Sequence, residues 1–423
     1  MNPILPRQYF TPDVEARQWP DGRIYLYGSN DICGDSMYCS HEYRVFSSGD
    51  LLHWTDHGVS FDGYGHSAHT AVEPGVLYAP DCVRIGEQYC LLYCQSGNQE
   101  GIAFSDRPEG PFSSARHLDG AHNSQIDPAA FVDDDGAVYY YWGQVSAKGG
   151  RLNAGLTGIE PDSVMEGILN ESEHGFHEGI SIRKHNGLYY LVYTDISRGR
   201  ATCLGYATSE WPLGPYKKRG ILIDNMGCDP ESWNNHGSIE KINGRWYVFY
   251  HRSTRNSRFS RRVCVEPIQI AADGSIREVE MTTQGVDGPL DTFQPQDAAS
   301  ACLLHGRVYI DSLNAANEQY EFLNQVHHGN WAAYKYYMFS GMERLIRVEA
   351  ASMSEGGQVR VCLDTPDGEC VACITTSRTG GWNAFETFEG LLSTPITGQH
   401  ALYFIFSGGE GRLMSVRSFV FEK

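Results

Sequence analysis

The chain lacks any stretch that could cross a membrane as a helix: no window approaches the ~18 to 20 apolar residues that such a span needs. It is also short of positive charge, with 33 lysines and arginines against 52 aspartates and glutamates and a formal charge of −19. A nucleic acid or an anionic membrane would need a basic face, so neither is expected as a partner. The apolar core of a secretion signal is missing too, since Met1-Asn-Pro-Ile-Leu-Pro-Arg7 runs straight into the first strand pattern. That reading predicts a cytoplasmic protein whose twelve cysteines are free thiols. Several of them, such as Cys90, Cys94 and Cys264, sit inside strand patterns where any small apolar residue would serve. Cys370-Val-Ala-Cys373 has the spacing of half a zinc knuckle, but no second pair follows at a suitable distance. His66, His69 and Glu73 lie in a glycine-rich segment without helical period and read as a rim loop.

What is present in abundance is a repeated strand. Gly22-Arg-Ile-Tyr-Leu-Tyr-Gly, Glu87-Gln-Tyr-Cys-Leu-Leu-Tyr, Val138-Tyr-Tyr-Tyr-Trp, Gly187-Leu-Tyr-Tyr-Leu-Val-Tyr and Gly244-Arg-Trp-Tyr-Val-Phe-Tyr align on Tyr25, Tyr89, Tyr139, Tyr189 and Tyr247. The copies are 64, 50, 50 and 58 residues apart. Such a period fits a four-stranded blade with its loops, so five copies predict an all-β, five-bladed β-propeller. A second match supports the repeat: Gly110-Pro-Phe112 in blade two reappears as Gly214-Pro-Tyr216 in blade four.

Just upstream of each copy stands a polar residue that a purely structural strand would not favour: Asp13, Asp81, Asp127, Glu178 and His236. They precede the aligned tyrosines by 12, 8, 12, 11 and 11 residues, near the start of each blade's first strand. In a propeller those strands line the central axis, which predicts four carboxylates and a histidine at one end of one channel. Burial and like charge should raise the pKa of Glu178, as a general acid requires. Each residue alone has a plainer reading, such as turn aspartate, strand-end glutamate or hydrogen-bonded core histidine. The segment Arg255 to Arg262 places four arginines in eight residues, either pairing with surface carboxylates or setting one arginine beside the acidic channel as a clamp.

Together, Asp13, the block Ile126-Asp127-Pro-Ala-Ala-Phe-Val-Asp-Asp-Asp-Gly136, His177-Glu178-Gly179 and Asn234-Asn-His236-Gly resemble glycoside hydrolase family 43 over about residues 8 to 285. The resemblance implies that Asp13 is the general base, Asp127 the carboxylate that orients and tunes the acid, and Glu178 the general acid. It further implies that His236 is a channel histidine near a bound calcium ion. The family's usual Asp-Pro at the base is Asp13-Val14 here. Substrate contacts are expected from Asp81, Asn235 and Arg262. The implied activity is inverting, exo-acting hydrolysis that frees arabinofuranosyl or xylosyl units from oligosaccharides. A galactosidase of the same family and a sugar-binding propeller without turnover remain open beside it.

Past Gly285 the texture changes. The expected layout is a propeller over residues 1–285, a linker over 286–299 and a β-sandwich (jelly-roll) over 300–423. Gly329-Asn-Trp-Ala-Ala-Tyr334, Thr379-Gly-Gly-Trp382 and Gly398-Gln-His-Ala-Leu-Tyr-Phe-Ile-Phe406 resemble a family 6 carbohydrate-binding module, with Trp382 as one sugar-stacking plate. Val326 stands where the second plate is expected, and Met414-Ser415 near the position of a binding asparagine.

Overall fold

The computed structural model describes residues 1–65, 68–97, 99–121, 126–313 and 320–423. His66 of the rim loop lies outside the described residues. Four four-stranded antiparallel sheets and one three-stranded sheet follow one another up to Ile268, each wound strand to strand in chain order. Each aligned tyrosine falls in the second strand of its sheet. The chain can reverse tightly between first and second strands because the turns carry residues that tolerate positive φ. Asn186-Gly187 and Asn243-Gly244 both take left-handed pairs, at 49° and 80° and at 49° and 86°. Such pairs match the twist of the strands they join.

The first strands of the five blades are Glu15–Gln18, Asp81–Ile85, Ala129–Val132, Phe176–His185 and Ser238–Ile242. Each neighbours the next, and the last neighbours the first. Polar side chains tie this ring together. Ser238 Oγ accepts from the Ala16 amide at 3.1 Å and donates to the Val14 carbonyl at 2.9 Å. Glu15 accepts from Arg183 at 2.7 Å. Blade five has three strands, and the N-terminal segment runs along its free edge: the Ile4 amide donates to Val263, and the Asn2 side chain brackets Val265.

Apolar clusters fill the gaps between successive blades. Cys90, Leu92, Ile102, Tyr140 and Trp142 pack between blades two and three, and Val192, Leu204, Ile239, Val248 and Cys264 between four and five. Buried cysteines in these clusters act as small apolar residues. The twelve cysteines are all unpaired.

The remaining strands form two six-stranded sheets. They face each other across one core that includes Val359, Phe404 and Phe406 on one side and Leu323, Val348 and Phe419 on the other. The stretch expected as a linker is built into this sandwich. Leu290–Asp291 pairs in parallel with Tyr337–Met338, and Gln296–Asp297 pairs with Ser418–Phe419. Backbone hydrogen bonding, which periodicity over so short a stretch cannot signal, explains the difference.

Candidate active site

Asp13 and Asp127 each stand two residues ahead of their blade's first strand, and both adopt left-handed backbone, with φ of 55° and 56°. Aspartate is among the few residues that enter this region readily, and such positions gather at functional sites. Glu178 lies inside its strand, where the register shifts on both sides of it. The following Gly179 (φ 64°) leaves room for a neighbouring ring, because a Cβ there would lie 2.9 Å from Nε2 of His236. The three carboxylates and His236 line one cavity of about 330 Å³, walled further by Tyr38, Tyr78 and Trp233.

Their environments differ sharply. Asp13 Oδ1 accepts from Arg261 Nη1 at 2.9 Å and lies 3.3 Å from His251 Nδ1, while Oδ2 accepts from Ser29 Oγ at 2.8 Å. Burial pushes the pKa of Asp13 up, but the Arg261 guanidinium, followed by His251 and His236, outweighs it and holds the carboxyl well below the usual range. Asp31 locks that guanidinium in place, accepting from Arg261 Nε and Nη2 at 2.9 Å each. Asp127 is buried, and burial, then the charges of Glu178 and Asp13, drive its pKa well above normal. Glu178 is only half-buried and accepts from Gln144 Nε2 at 2.8 Å. Asp127 is enclosed, whereas Glu178 reaches the open pocket. His236 Nδ1 lies 3.9 Å from Asp13 and 3.8 Å from Asp127, and burial lowers its pKa, favouring the neutral ring.

Four expected contacts belong elsewhere. Asp81 is buried in the ring, accepting from Arg17 at 2.7 Å and from the Ala130 amide at 2.8 Å. Its offset of 8, against 11 or 12 in the other repeats, was the warning; offset 11 falls on Tyr78, which does line the cavity. Asn235 is fully buried, donating to the Thr202 carbonyl and accepting from the His251 amide, and its neighbour Asn234 faces the pocket instead. Arg262 points away from the cavity to Glu321, and Arg261 is the clamp. For the two arginines, strand alternation sends adjacent side chains to opposite faces; the two asparagines lie in the loop ahead of their blade's first strand. Trp382 belongs to the sandwich, where the Arg412 guanidinium lies 4.0 Å from its ring centroid and covers one face of the ring. Val326, Met414 and Ser415 are fully buried.

The donor set around His236 does not suit a calcium ion held directly by protein. Calcium takes about six to eight oxygen ligands, and among the described residues no group of three or more histidine, cysteine or carboxylate side chains is placed to hold a metal ion.

Sequence reasoning gave no site role to Gln144, Tyr38 and Asn234, which reach the pocket from connections between strands, nor to Asp31, which is buried behind Arg261. Two polar atoms in the lining, the Tyr38 hydroxyl and Asn234 Oδ1, are buried with no hydrogen-bond partner among the described residues, the condition of groups that receive a ligand.

Residues 1–276 match the family described as glycosyl hydrolases family 43, and residues 305–423 match the carbohydrate binding module (family 6). A xylosidase/arabinosidase of Thermoclostridium stercorarium is 30% identical, over 96% of this chain and 96% of its own length. The crystal structure of a glycoside hydrolase family 43 arabinoxylan arabinofuranohydrolase from Bacillus subtilis, in complex with cellotetraose, superposes with a TM-score of 0.57 at 25% identity. It covers 100% of this chain and 97% of that one. A β-xylosidase/α-arabinofuranosidase from a compost metagenome, solved with xylotriose, is similar over 66% of this chain and 97% of its own, with a TM-score of 0.56 and 28% identity.

Proposed function

The chain belongs to glycosyl hydrolase family 43, and from that membership we propose an inverting mechanism carried by Asp13, Asp127 and Glu178. The protein is an exo-acting glycoside hydrolase that releases pentose, arabinofuranosyl or xylosyl, from oligosaccharides. The relatives' names, xylosidase/arabinosidase and arabinoxylan arabinofuranohydrolase, support that substrate class.

The observation that carries the mechanism is the split between the carboxylates. Hydrolysis with inversion needs an ionised base on one side of the sugar ring and a proton donor on the other, ~6.5 to 9.5 Å apart to admit a water. Asp13, kept ionised by Arg261, takes a proton from water as its oxygen attacks the anomeric carbon. Glu178, on a blade not adjacent to that of Asp13, delivers a proton to the departing oxygen. Asp127, its own pKa raised by burial and by the Glu178 charge, stands beside the acid and orients it. The free sugar and the alcohol leave, and Glu178 regains its proton from solvent as Asp13 gives one up.

A cavity of about 330 Å³ is at the small end of the ~300 to 1,000 Å³ range of ligand sites, suiting one terminal sugar. Tyr38 and Asn234 offer it hydrogen bonds, and half-exposed Trp233 edges the mouth. A calcium ion, as the family resemblance implies, would sit beside His236 and keep its own waters, and no step above passes through it. The free cysteines support placement in a reducing compartment, the cytoplasm.

The test compares wild type and Glu178→Ala on aryl arabinofuranoside, xyloside and galactoside. Cleavage of a pentoside by wild type, reduced ~10²- to 10⁴-fold in the variant, is the expected result. Oligosaccharide binding without cleavage of any substrate would make the propeller a binding module.

A further inference from the structure

One hairpin turn of blade five and the strand leaving it, residues 255 to 262, shape one side of the pocket. Arg258 lies over the Trp233 ring at 4.4 Å, Phe259 packs on Tyr38 with centroids 4.7 Å apart, and Arg261 donates to Asp13 and Asp31. Two other side chains of the same stretch turn the opposite way and meet the sandwich domain. Arg262 donates to Glu321 through both terminal nitrogens, at 3.1 and 2.7 Å, and Arg255 Nη2 donates to it at 2.5 Å. Arg7 Nε adds a third guanidinium at 3.5 Å. Glu321 is buried, so three cations converge on one carboxylate that water cannot replace.

We propose that Glu321 is a positioning residue for the hydrolytic site, and that the sandwich acts in catalysis as the anchor of the Arg261 hairpin. Adjacent residues of a strand face opposite ways, so the backbone that seats Arg262 on Glu321 also seats Arg261 on Asp13. Removing the carboxylate leaves buried like charges to repel one another, and the hairpin moves away. Arg261 then loosens its hold on Asp13, whose pKa climbs, while Tyr38 and Trp233 lose their packing. This role needs no sugar on the sandwich, in keeping with the covered face of Trp382. The inference rests on the hydrolase reading.

Full-length Glu321→Gln is assayed on an aryl pentoside beside wild type across pH, at a temperature where both are folded. The wiring predicts kcat lower by about tenfold, KM changed far less, and an acid limb of kcat/KM moved upward by about half a unit or more. Arg262→Lys, which keeps a cation on Glu321, retains more activity than Arg262→Gln. A lower unfolding temperature with unchanged kcat and pH profile would overturn the proposal. If Glu321→Gln does not fold, Arg255→Gln removes one guanidinium from the same carboxylate and is judged by the same readouts. A wild type that binds sugar without cleaving it would sink the hydrolase reading instead, and the pH dependence of that binding in the variants would still judge the anchor.

Discussion

Arg261 Nη1 lies 2.9 Å from Oδ1 of Asp13, a contact between residues 248 positions apart in the chain. It joins the last blade to the first at the point where water would be activated. Arg261→Gln should lift the pKa of Asp13, because burial would then act with less opposition. The acid limb of kcat/KM should move to higher pH, which a pH–rate profile reads directly. Stability follows the same sign. A depressed carboxyl pKa contributes stability above the unfolded value of ~3.9 that is lost only as pH falls through the folded value. Wild type should therefore keep this contribution through mildly acidic pH, and Arg261→Gln should forfeit it earlier.

Asp127 is enclosed beside the charge of Glu178, and burial and that charge both raise its pKa. Asp127→Asn removes this titrating carboxyl. A basic limb of kcat/KM carried by Asp127 should disappear, with kcat reduced at every pH. A profile that keeps its basic limb would assign that limb to another group.

Asp81 is a structural residue, and its loss should read as one. Asp81→Asn leaves buried Arg17 with Glu15, 3.2 Å away, as its remaining close carboxylate, so the cost is at most the ~3 to 5 kcal/mol of breaking a buried pair. Denaturant unfolding should show the loss, while KM of the folded fraction stays within about twofold of wild type.

Trp382 is covered by Arg412, so Trp382→Ala should leave hydrolysis unchanged. Titration calorimetry of full-length Trp382→Ala with xylo- and arabino-oligosaccharides should match wild type. A binding site lost with Trp382 would restore the sandwich as a sugar-binding module.

The propeller was legible because it repeats: five tyrosines at comparable spacing mark five second strands, and Asp13, Asp127, Glu178 and His236 fall at nearly constant offsets from them. The same repeat misled at Asp81, whose shorter offset places it one register inside the ring. Arg262 and Asn235 each missed by a single residue, since which of two neighbours faces the channel depends on strand register, and a bulge or turn resets that locally. Gln144, Tyr38 and Asn234 reach the pocket from connections with no periodicity to read. The linker was invisible for a similar reason, as two-residue pairings leave no pattern in composition.

The configuration of the sugar as it leaves the pocket reports directly on whether water or a carboxylate attacks the anomeric carbon. Proton NMR of an aryl pentoside reaction, followed before mutarotation, should show first the product anomer opposite to that of the substrate. A first-formed product with the substrate's configuration would mean a carboxylate attacked the sugar instead of water, and Asp13 could not then have the role given to it here.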